Sequence, residues 1–296
     1  MTLSNSSKSN TTQVCFTVRK NNEIQHLAGI NKIIKNAHAP SNFFTACRDG
    51  NVREFTDLSS PKCVKLWSEH DGWVNDITQI SERICSVSND GSVRICGEKT
   101  PIYWHDDYVK SVVSFGNRVY SAGLDCNIKS VDLGENLSNS QNINNTQNNN
   151  IQNNLTNAVL DHSIYSLGIS ETGILAAGNS ASVVYLFDQR ENNSRKSSTV
   201  KLSHGGSRTV ISSVRFLDDQ TVLSSDCDGM VKVWSLANFS KPISTISCEA
   251  GVSCLEIGTD GKVYAGLLTG GVLYADYRMG WNSEMKKKPG ICFGLT

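Results

Sequence analysis

The residue types with the most obvious chemical potential are a histidine, a serine and an aspartate that recur together along the chain. In the best-formed set, His204 is followed by Ser224, Asp228 and Trp234. Histidine, serine and aspartate are the residue types of a hydrolase triad, in which the histidine accepts the proton of a serine nucleophile. The same side chains can also close a buried hydrogen-bond network that only stabilises structure.

The repetition of this set favours the structural interpretation. His70 and His105 precede Asp90 and Asp125 by the same 20 residues, and Asp49 has a threonine four positions earlier, Thr45. A catalytic nucleophile occurs once in an enzyme, so a set that recurs predicts no catalytic residue, and we do not expect an enzyme. The predicted structural sets are His204, Ser224, Asp228 and Trp234; His70, Ser86 and Asp90; and His105, Ser121 and Asp125.

The elements that must position these residues are short strands. The stretch TVLSSDCDGMVKVWSL (221–236) alternates as two strands joined by an Asp-Gly turn, and glycine accepts the positive φ that such turns need. Two further copies keep the strands but carry Ala177 and Ala265 where the serine would be. The intervals between acid positions are 41, 35, 56, 47 and 41 residues. Four strands per unit with this period predict an all-β, WD-repeat β-propeller.

We expect six recognisable blades and an incomplete or hybrid further blade built from the chain ends. Residues 1–12 are predicted to be a disordered tail, 13–296 the propeller, and the Asn-rich 134–157 a disordered insertion loop. Residues 13–19 alternate as one strand, and Lys286–Lys288 is interpreted as a solvated basic turn. Open sheet edges invite aggregation, so the sequence predicts either a strained ring of six to seven blades or a truncated chain.

Composition excludes several classes of function. Lys plus Arg equals Asp plus Glu at 28 each, so no global field favours nucleic acid or an anionic membrane. No apolar run approaches the length of a membrane span, and the polar N-terminus lacks a signal-peptide core. The ten cysteines fall singly, without a CxxC pair, and are interpreted as free thiols that fill the core. We therefore expect an intracellular protein, cytoplasmic or nuclear, with no metal and no cofactor.

Several stretches are more particular than the repeat requires. They are TQVCFTVR (12–19), FFTACRDGNVREF (43–55), HDGWVNDI (70–77), HDDYVKSV (105–112), SAGLDCNI (121–128) and HSIYSLGISETGILAAG (162–178). Together they resemble the propeller of the WD-repeat activator subunit of ubiquitin-specific proteases, over about residues 12–278. The resemblance implies a non-catalytic partner that clamps such a protease and raises its deubiquitinating activity. It also implies that strand 13–19 completes a last blade, although the blades it would complete are absent.

The resemblance fails at the surface that contacts the protease. A lysine, a tryptophan and an arginine expected on that edge align here with Ile211, Ser253 and Leu268. If a protease is bound, the resemblance implies that this surface has been remade.

Two groups of residues are candidates for binding protein partners. The first lies where inner strands begin, a position that faces the top or the channel of a propeller, and its members are Trp73, Asn75, Tyr108, Lys110 and Tyr165. Exposed aromatic residues beside charges are favoured binding anchors; the alternative is packing between blades.

The second group has the Asp-x-Arg pattern that substrate receptors of cullin-RING ligases use to dock their adaptor, and consists of Asp188, Arg190, Asp276 and Arg278. The alternative is an aspartate that caps the following turn.

Overall fold

The computed structural model describes residues 26–134, 156–189, 200–205, 208–279 and 286–287. These residues form six four-stranded antiparallel sheets, in which each strand pairs with the next one along the chain. One 3-10 turn, Tyr277–Met279, is the only helical element in that part of the chain. The first structure prediction, an all-β repeat of four-stranded units, is therefore confirmed.

Each sheet is one blade, and the blades are numbered in chain order. Blades 1 to 3 consist of β1 Ile30–Lys35, β2 Phe43–Cys47, β3 Asn51–Thr56 and β4 Lys62–Ser68; β5 Val74–Ile80, β6 Arg83–Ser88, β7 Ser92–Ile95 and β8 Tyr103–Trp104; and β9 Val109–Phe115, β10 Arg118–Gly123, β11 Asn127–Asp132 and β12 Thr156–Val159. Blades 4 to 6 consist of β13 Ile164–Ile169, β14 Ile174–Asn179, β15 Val183–Asp188 and β16 Val200–Ser203; β17 Ile211–Asp218, β18 Thr221–Asp226, β19 Met230–Ser235 and β20 Ser244–Ser247; and β21 Val252–Ile257, β22 Lys262–Leu267, β23 Val272–Asp276 and β24 Lys286–Lys287.

The core lies between neighbouring blades. The first strands of successive blades contact one another, which places β1, β5, β9, β13, β17 and β21 innermost. Five clusters of buried aliphatic and aromatic side chains join blade 1 to 2, 2 to 3, 3 to 4, 4 to 5 and 5 to 6. Both faces of the intermediate blades are thus covered by apolar packing, which is the main stabilising term in such a structure.

The turns between second and third strands, which form the top face, depend on glycine. Gly50 and Gly91 have φ of 80° and 85°, the left-handed region that favours glycine. A Cβ on Gly50 would also lie 2.7 Å from the carbonyl oxygen of His70 in the following blade. The Asp-Gly turns therefore both reverse the chain and let neighbouring blades approach.

Blade 6 has one face without a packed neighbour in the described part of the chain. In blade 2 the face directed at the next blade is fully buried, with Cys85 and Val87 at 0% exposure. The matching positions of blade 6, Tyr264 and Gly266, are only half-buried. Within the described ranges the molecule is therefore six blades with five packed interfaces, and the segment 13–19 predicted to complete a blade lies outside them.

Three local predictions need correction. Lys286–Lys287 is not a turn: it pairs with Tyr274 and Leu273 as the fourth strand of blade 6, because the preceding strand leaves an edge that the returning chain can fill. The loop predicted over 134–157 ends earlier, since β12 begins at Thr156. The tail 1–12 and most of that loop lie outside the described residues. The cysteines do not all fill the core either: of the eight described, Cys47 and Cys85 are buried, five are half-buried and Cys254 on β21 is exposed. All eight are free thiols, as expected.

Candidate protein-interaction surface

The histidine–serine–tryptophan network of blade 5 is present and buried. Nε2 of His204 lies 2.6 Å from Oγ of Ser224, and Nε1 of Trp234 donates to the same hydroxyl over 2.8 Å. Burial lowers the pKa of His204, against an opposing hydrogen bond and charge from Asp226. The imidazole is buried inside the blade, where its hydrogen bonds stabilise the structure.

The acid of this network is Asp226 and not the predicted Asp228. Oδ2 of Asp226 lies 3.0 Å from Nδ1 of His204, and its Oδ1 accepts from the backbone N–H groups of Asp228 and Met230. The carboxylate of Asp226 is buried, whereas Asp228 is exposed in the turn. Asn179 occupies the matching position in blade 4 and likewise accepts two backbone N–H groups.

Blades 2 and 3 contain the predicted networks. His70 lies 3.0 Å from Asp90 and 2.8 Å from Ser86. His105 lies 2.8 Å from Asp125 and 2.7 Å from Ser121. Burial would raise the pKa of Asp125, but hydrogen bonds from the histidine and from the following turn lower it to about 2. In all three sets the histidine has both ring nitrogens hydrogen-bonded.

The tyrosine hydroxyl of Tyr103 lies 2.9 Å from Oγ of Ser121. Tyr103 belongs to β8 of the preceding blade and is buried. It thus contributes a polar group to a network whose tryptophan position is held by Val131. The spacing of the repeat gave no signal for this residue, because it comes from a different blade.

Blade 1 has a variant network that contains a buried arginine. Nη2 of Arg53 lies 2.7 Å from Asp49, and Nη1 lies 3.2 Å from Nδ1 of His26, whose Nε2 contacts Thr45. His26, Cys47 and Asp49 offer metal-ligand atoms within 4.8 Å of one another. The guanidinium already supplies the positive charge beside them, and burial raises the pKa of the Cys47 thiol. In this network the charge of Asp49 is therefore balanced by the guanidinium of Arg53.

Two exposed aromatic residues on the top face are each covered by a cation. Trp73 and Tyr108 precede β5 and β9 directly and are 48% and 47% exposed. The guanidinium carbon of Arg48 lies 4.9 Å from the centre of the Trp73 ring. Nζ of Lys110 lies 5.3 Å from the centre of the Tyr108 ring. We call Arg48, Trp73, Tyr108 and Lys110 the aromatic–cation patch.

Asparagine side chains fix this patch from below. Nε of Arg48 donates to Oδ1 of Asn31 over 2.9 Å, and Nζ of Lys110 donates to Oδ1 of Asn89 over 3.1 Å. Asn75, predicted as a binding residue, donates to Asn89 and to the backbone carbonyl of Val109. Its amide is thus committed to joining blades 2 and 3, and it supports the patch from within the structure.

The two cations of the patch act on each other. Burial lowers the pKa of Lys110, and the positive charge of Arg48 lowers it further, while Asp107 opposes the change. Two cations on one surface favour the binding of an anionic group beside them. Sequence reasoning found Trp73, Tyr108 and Lys110 but missed Arg48, which lies in the turn of another blade.

Comparison with known proteins agrees with the propeller fold. A family model described as "WD domain, G-beta repeat" matches residues 61–96 and 196–235, the stretches that contain the histidine networks of blades 2 and 5. Over its described residues the chain is a six-bladed β-propeller that contains WD40 repeats. A search of curated proteins gave no match.

Solved propellers share the architecture. "Structure of U3-55K" superposes with a TM-score of 0.70 at 14% sequence identity, over 90% of this chain and 82% of that one. "Crystal structure of RRP9 WD40 repeats" gives a TM-score of 0.69 at 14% identity, over 90% and 81%. Identities this low establish the fold alone. In the described residues, no helix is long and apolar enough to cross a membrane.

The remaining predicted residues of the WD40 propeller are not joined to the patch. Tyr165 holds on β13 the position that Lys110 holds on β9, and it is half-buried. Among the positions aligned with a protease-contacting edge, Ile211 is fully buried in the core between blades 4 and 5. Ser253 and Leu268 are exposed on blade 6.

Both predicted Asp-x-Arg aspartates end third strands. Asp188 ends β15 and Asp276 ends β23. Arg278 pairs with Asp276 over 3.3 Å and is 61% exposed. Arg190 lies outside the described residues.

Proposed function

We propose that this propeller is a non-catalytic scaffold that binds a protein partner through the aromatic–cation patch. The observation that carries the proposal is the pair of half-exposed rings, Trp73 and Tyr108, each covered by a cation that is itself held by an asparagine. Rigid aromatic side chains with large exposed area and little rotamer entropy are preferred anchors at interfaces. The free thiols of the described cysteines suit a partner met in a reducing compartment.

The charges of the patch define the partner's chemistry. Arg48 and Lys110 are both cations, so a carboxylate bound beside them is favoured electrostatically. Around them, the loops carry exposed Asp71, Asp106 and Asp107, which disfavour an extended polyanion such as nucleic acid. A partner segment with one acidic residue beside an apolar side chain fits this arrangement.

A ubiquitin-specific protease is the partner that the sequence resemblance suggests. The two stretches of this chain that carry the resemblance most specifically, HDGWVNDI and HDDYVKSV, contain Trp73 and Tyr108. A partner bound at this patch would contact blades 1 to 3, whereas the edge inferred from the family lies in later blades. The proposal therefore includes a remade contact surface.

A cullin-ligase adaptor is the alternative partner. Arg278 follows the end of β23, at the end of the blade opposite the β22–β23 turn, and its side chain is largely exposed. A docking arginine there would use a different face from the patch. An Arg278→Ala variant separates the two functions, because it would lose an adaptor and keep a partner of the patch.

The experiment is capture of partners by the tagged chain from cells, with identification by mass spectrometry and repetition with purified components. Trp73→Ala and Tyr108→Ala are expected to lose the partner by tenfold or more, since truncated anchors at interface centres commonly have effects of about 2 kcal/mol. Trp104→Ala is the matched control, because Trp104 is 54% exposed on the outer strand β8. If the patch variants keep every partner, the proposal is wrong.

For the protease itself, the readout is turnover of a ubiquitin substrate by a purified ubiquitin-specific protease. The wild-type chain is expected to raise that turnover and Trp73→Ala to abolish the increase. Unchanged turnover with the wild-type chain would remove the protease as partner while leaving the scaffold proposal to the capture experiment.

A further inference from the structure

The central channel contains a cavity whose lining chemistry differs from that of the top face. The cavity measures about 420 Å³ and is bordered by the inner strands of blades 1 to 5. Its charged lining residues are Lys32, Lys35, Asp76 and Arg215. Three cations and one acid thus line one open cavity, in a chain whose overall charge is zero.

The single acid is already committed to the protein. Oδ2 of Asp76 accepts from Oγ of Ser111 over 2.9 Å and from the backbone N–H of Val112 over 3.0 Å. Its other oxygen lies 4.0 Å from Nζ of Lys32, at the outer limit of an ion pair. Asp76 therefore joins blades 2 and 3, and its single negative charge can offset only one of the three cations that line the cavity.

The neutral polar groups of the wall are also paired with one another. Oγ1 of Thr78 lies 3.0 Å from Oγ of Ser114, and Ser114 donates to the backbone carbonyl of Gln79. The Gln79 side-chain oxygen accepts from the N–H of Ala37. The wall offers few spare acceptors, and the groups with donors to spare are cations.

Arg215 has most of its donors available. One Nη1 hydrogen bond goes to the carbonyl of Val214. Nε lies 3.8 Å from Glu256, whose carboxylate is 72% exposed and is therefore screened by water. A guanidinium has five N–H donors in a planar fork, which matches the oxygens of a phosphate group.

We propose that the channel binds a small phosphate-bearing anion, held by Lys32, Lys35 and Arg215. The volume lies in the range of small-ligand sites, and the cations come from two different blades, with Lys32 and Lys35 on blade 1 and Arg215 on blade 5. One ligand bound to all three would join blade 1 to blade 5. This site shares no residue with the aromatic–cation patch, so it stands or fails independently of the partner proposal.

The test uses inorganic tripolyphosphate as probe, titrated into the purified full-length chain by isothermal titration calorimetry. We expect one site per chain, weakened by about tenfold or more in Lys32→Gln and in Arg215→Gln, since each removes a charged donor. Lys241→Gln is the control, because Lys241 is exposed in the β19–β20 loop, and it should bind like wild type.

Thermal unfolding distinguishes lost binding from lost folding. Without probe, both channel variants should melt within a few degrees of wild type, because glutamine keeps most of the side-chain volume. With probe, wild type should gain stability and the variants should not. No binding by wild type, or equal binding by wild type and both channel variants, would overturn the proposal.

Discussion

Replacing Asp226 by alanine should destabilise the propeller far more than replacing Asp228 by alanine. The two acids lie two residues apart in one turn. Either of them, at two or four residues after Ser224, could be the acid of the repeat. Asp226 is buried and accepts from Nδ1 of His204 and from two backbone N–H groups. Asp228 is exposed, so its side chain retains contact with water.

The magnitude follows from the bonds that Asp226→Ala removes. A hydrogen bond to a charged group contributes about 1.5–3 kcal/mol, and the imidazole N–H of His204 would remain buried without its acceptor. The backbone N–H of Met230 would also lose its hydrogen bond to Asp226, at a cost of about 1 kcal/mol. The N–H of Asp228 can be reached by water. The free energy of unfolding should therefore fall by about 2.5–4 kcal/mol. Asp228→Ala, an exposed substitution, should change it by less than about 0.5 kcal/mol.

The assay is urea unfolding followed by tryptophan fluorescence. With a slope of about 3 kcal/mol per molar urea, Asp226→Ala should lower the midpoint by about 1 M, while Asp228→Ala leaves it nearly unchanged. Trp234 reports directly, because its indole donates to the same serine. If Asp228→Ala lowers the midpoint as much as Asp226→Ala, the assignment of the acid is wrong.

Two further predictions concern blade 1. The pKa of His26 is lowered to about 4, by burial first and by the charge of Arg53 second. At pH values between about 4 and 6.5, His26 is protonated in the unfolded chain, where its pKa has the ordinary value of 6.5, but not in the folded chain. The free energy of unfolding should therefore fall as pH drops from about 6.5 to about 4, by less than about 1 kcal/mol per unit because His26 is only half-buried. Urea midpoints measured across that window should show a weaker pH slope in His26→Gln, and an unchanged slope would contradict the argument. Second, Asp49→Asn should cost about 3 kcal/mol because it leaves the buried guanidinium of Arg53 unpaired, and Asp49→Asn/Arg53→Met should recover most of that. Equal unfolding free energies for the single and double variants would refute it.

Much of the fold could be predicted because it depends on local pattern. Strand alternation, Asp-Gly turns and the spacing of His70, Ser86 and Asp90 are all visible within one repeat. The same periodicity misassigned the acid of blade 5, since counting four positions from Ser224 selects Asp228. The sequence also shows Asp226, two residues before Asp228. Only the burial of its side chain in the turn identifies Asp226 as the acid of the network.

The candidate site was predicted only in part, because its contacts cross between blades. Trp73 and Tyr108 were identified as exposed aromatics at the starts of inner strands. Arg48, which covers Trp73, comes from the turn of blade 1, and no spacing connects the two. Asn75 was assigned to partner binding, although its amide joins blades 2 and 3.

The sequence by itself determined the all-β repeat, the phase of its histidine networks and the residues that begin the inner strands. These features follow from hydrogen bonding and alternation within about 40 residues, which neighbouring residues specify directly. Only the tertiary structure decided which side chains meet across blades: the cations on the aromatic rings, Tyr103 in the network of blade 3, and three cations around one channel. Those contacts depend on how the packed blades are oriented around the channel. The apolar cores between neighbouring blades set that orientation, and no single repeat specifies it.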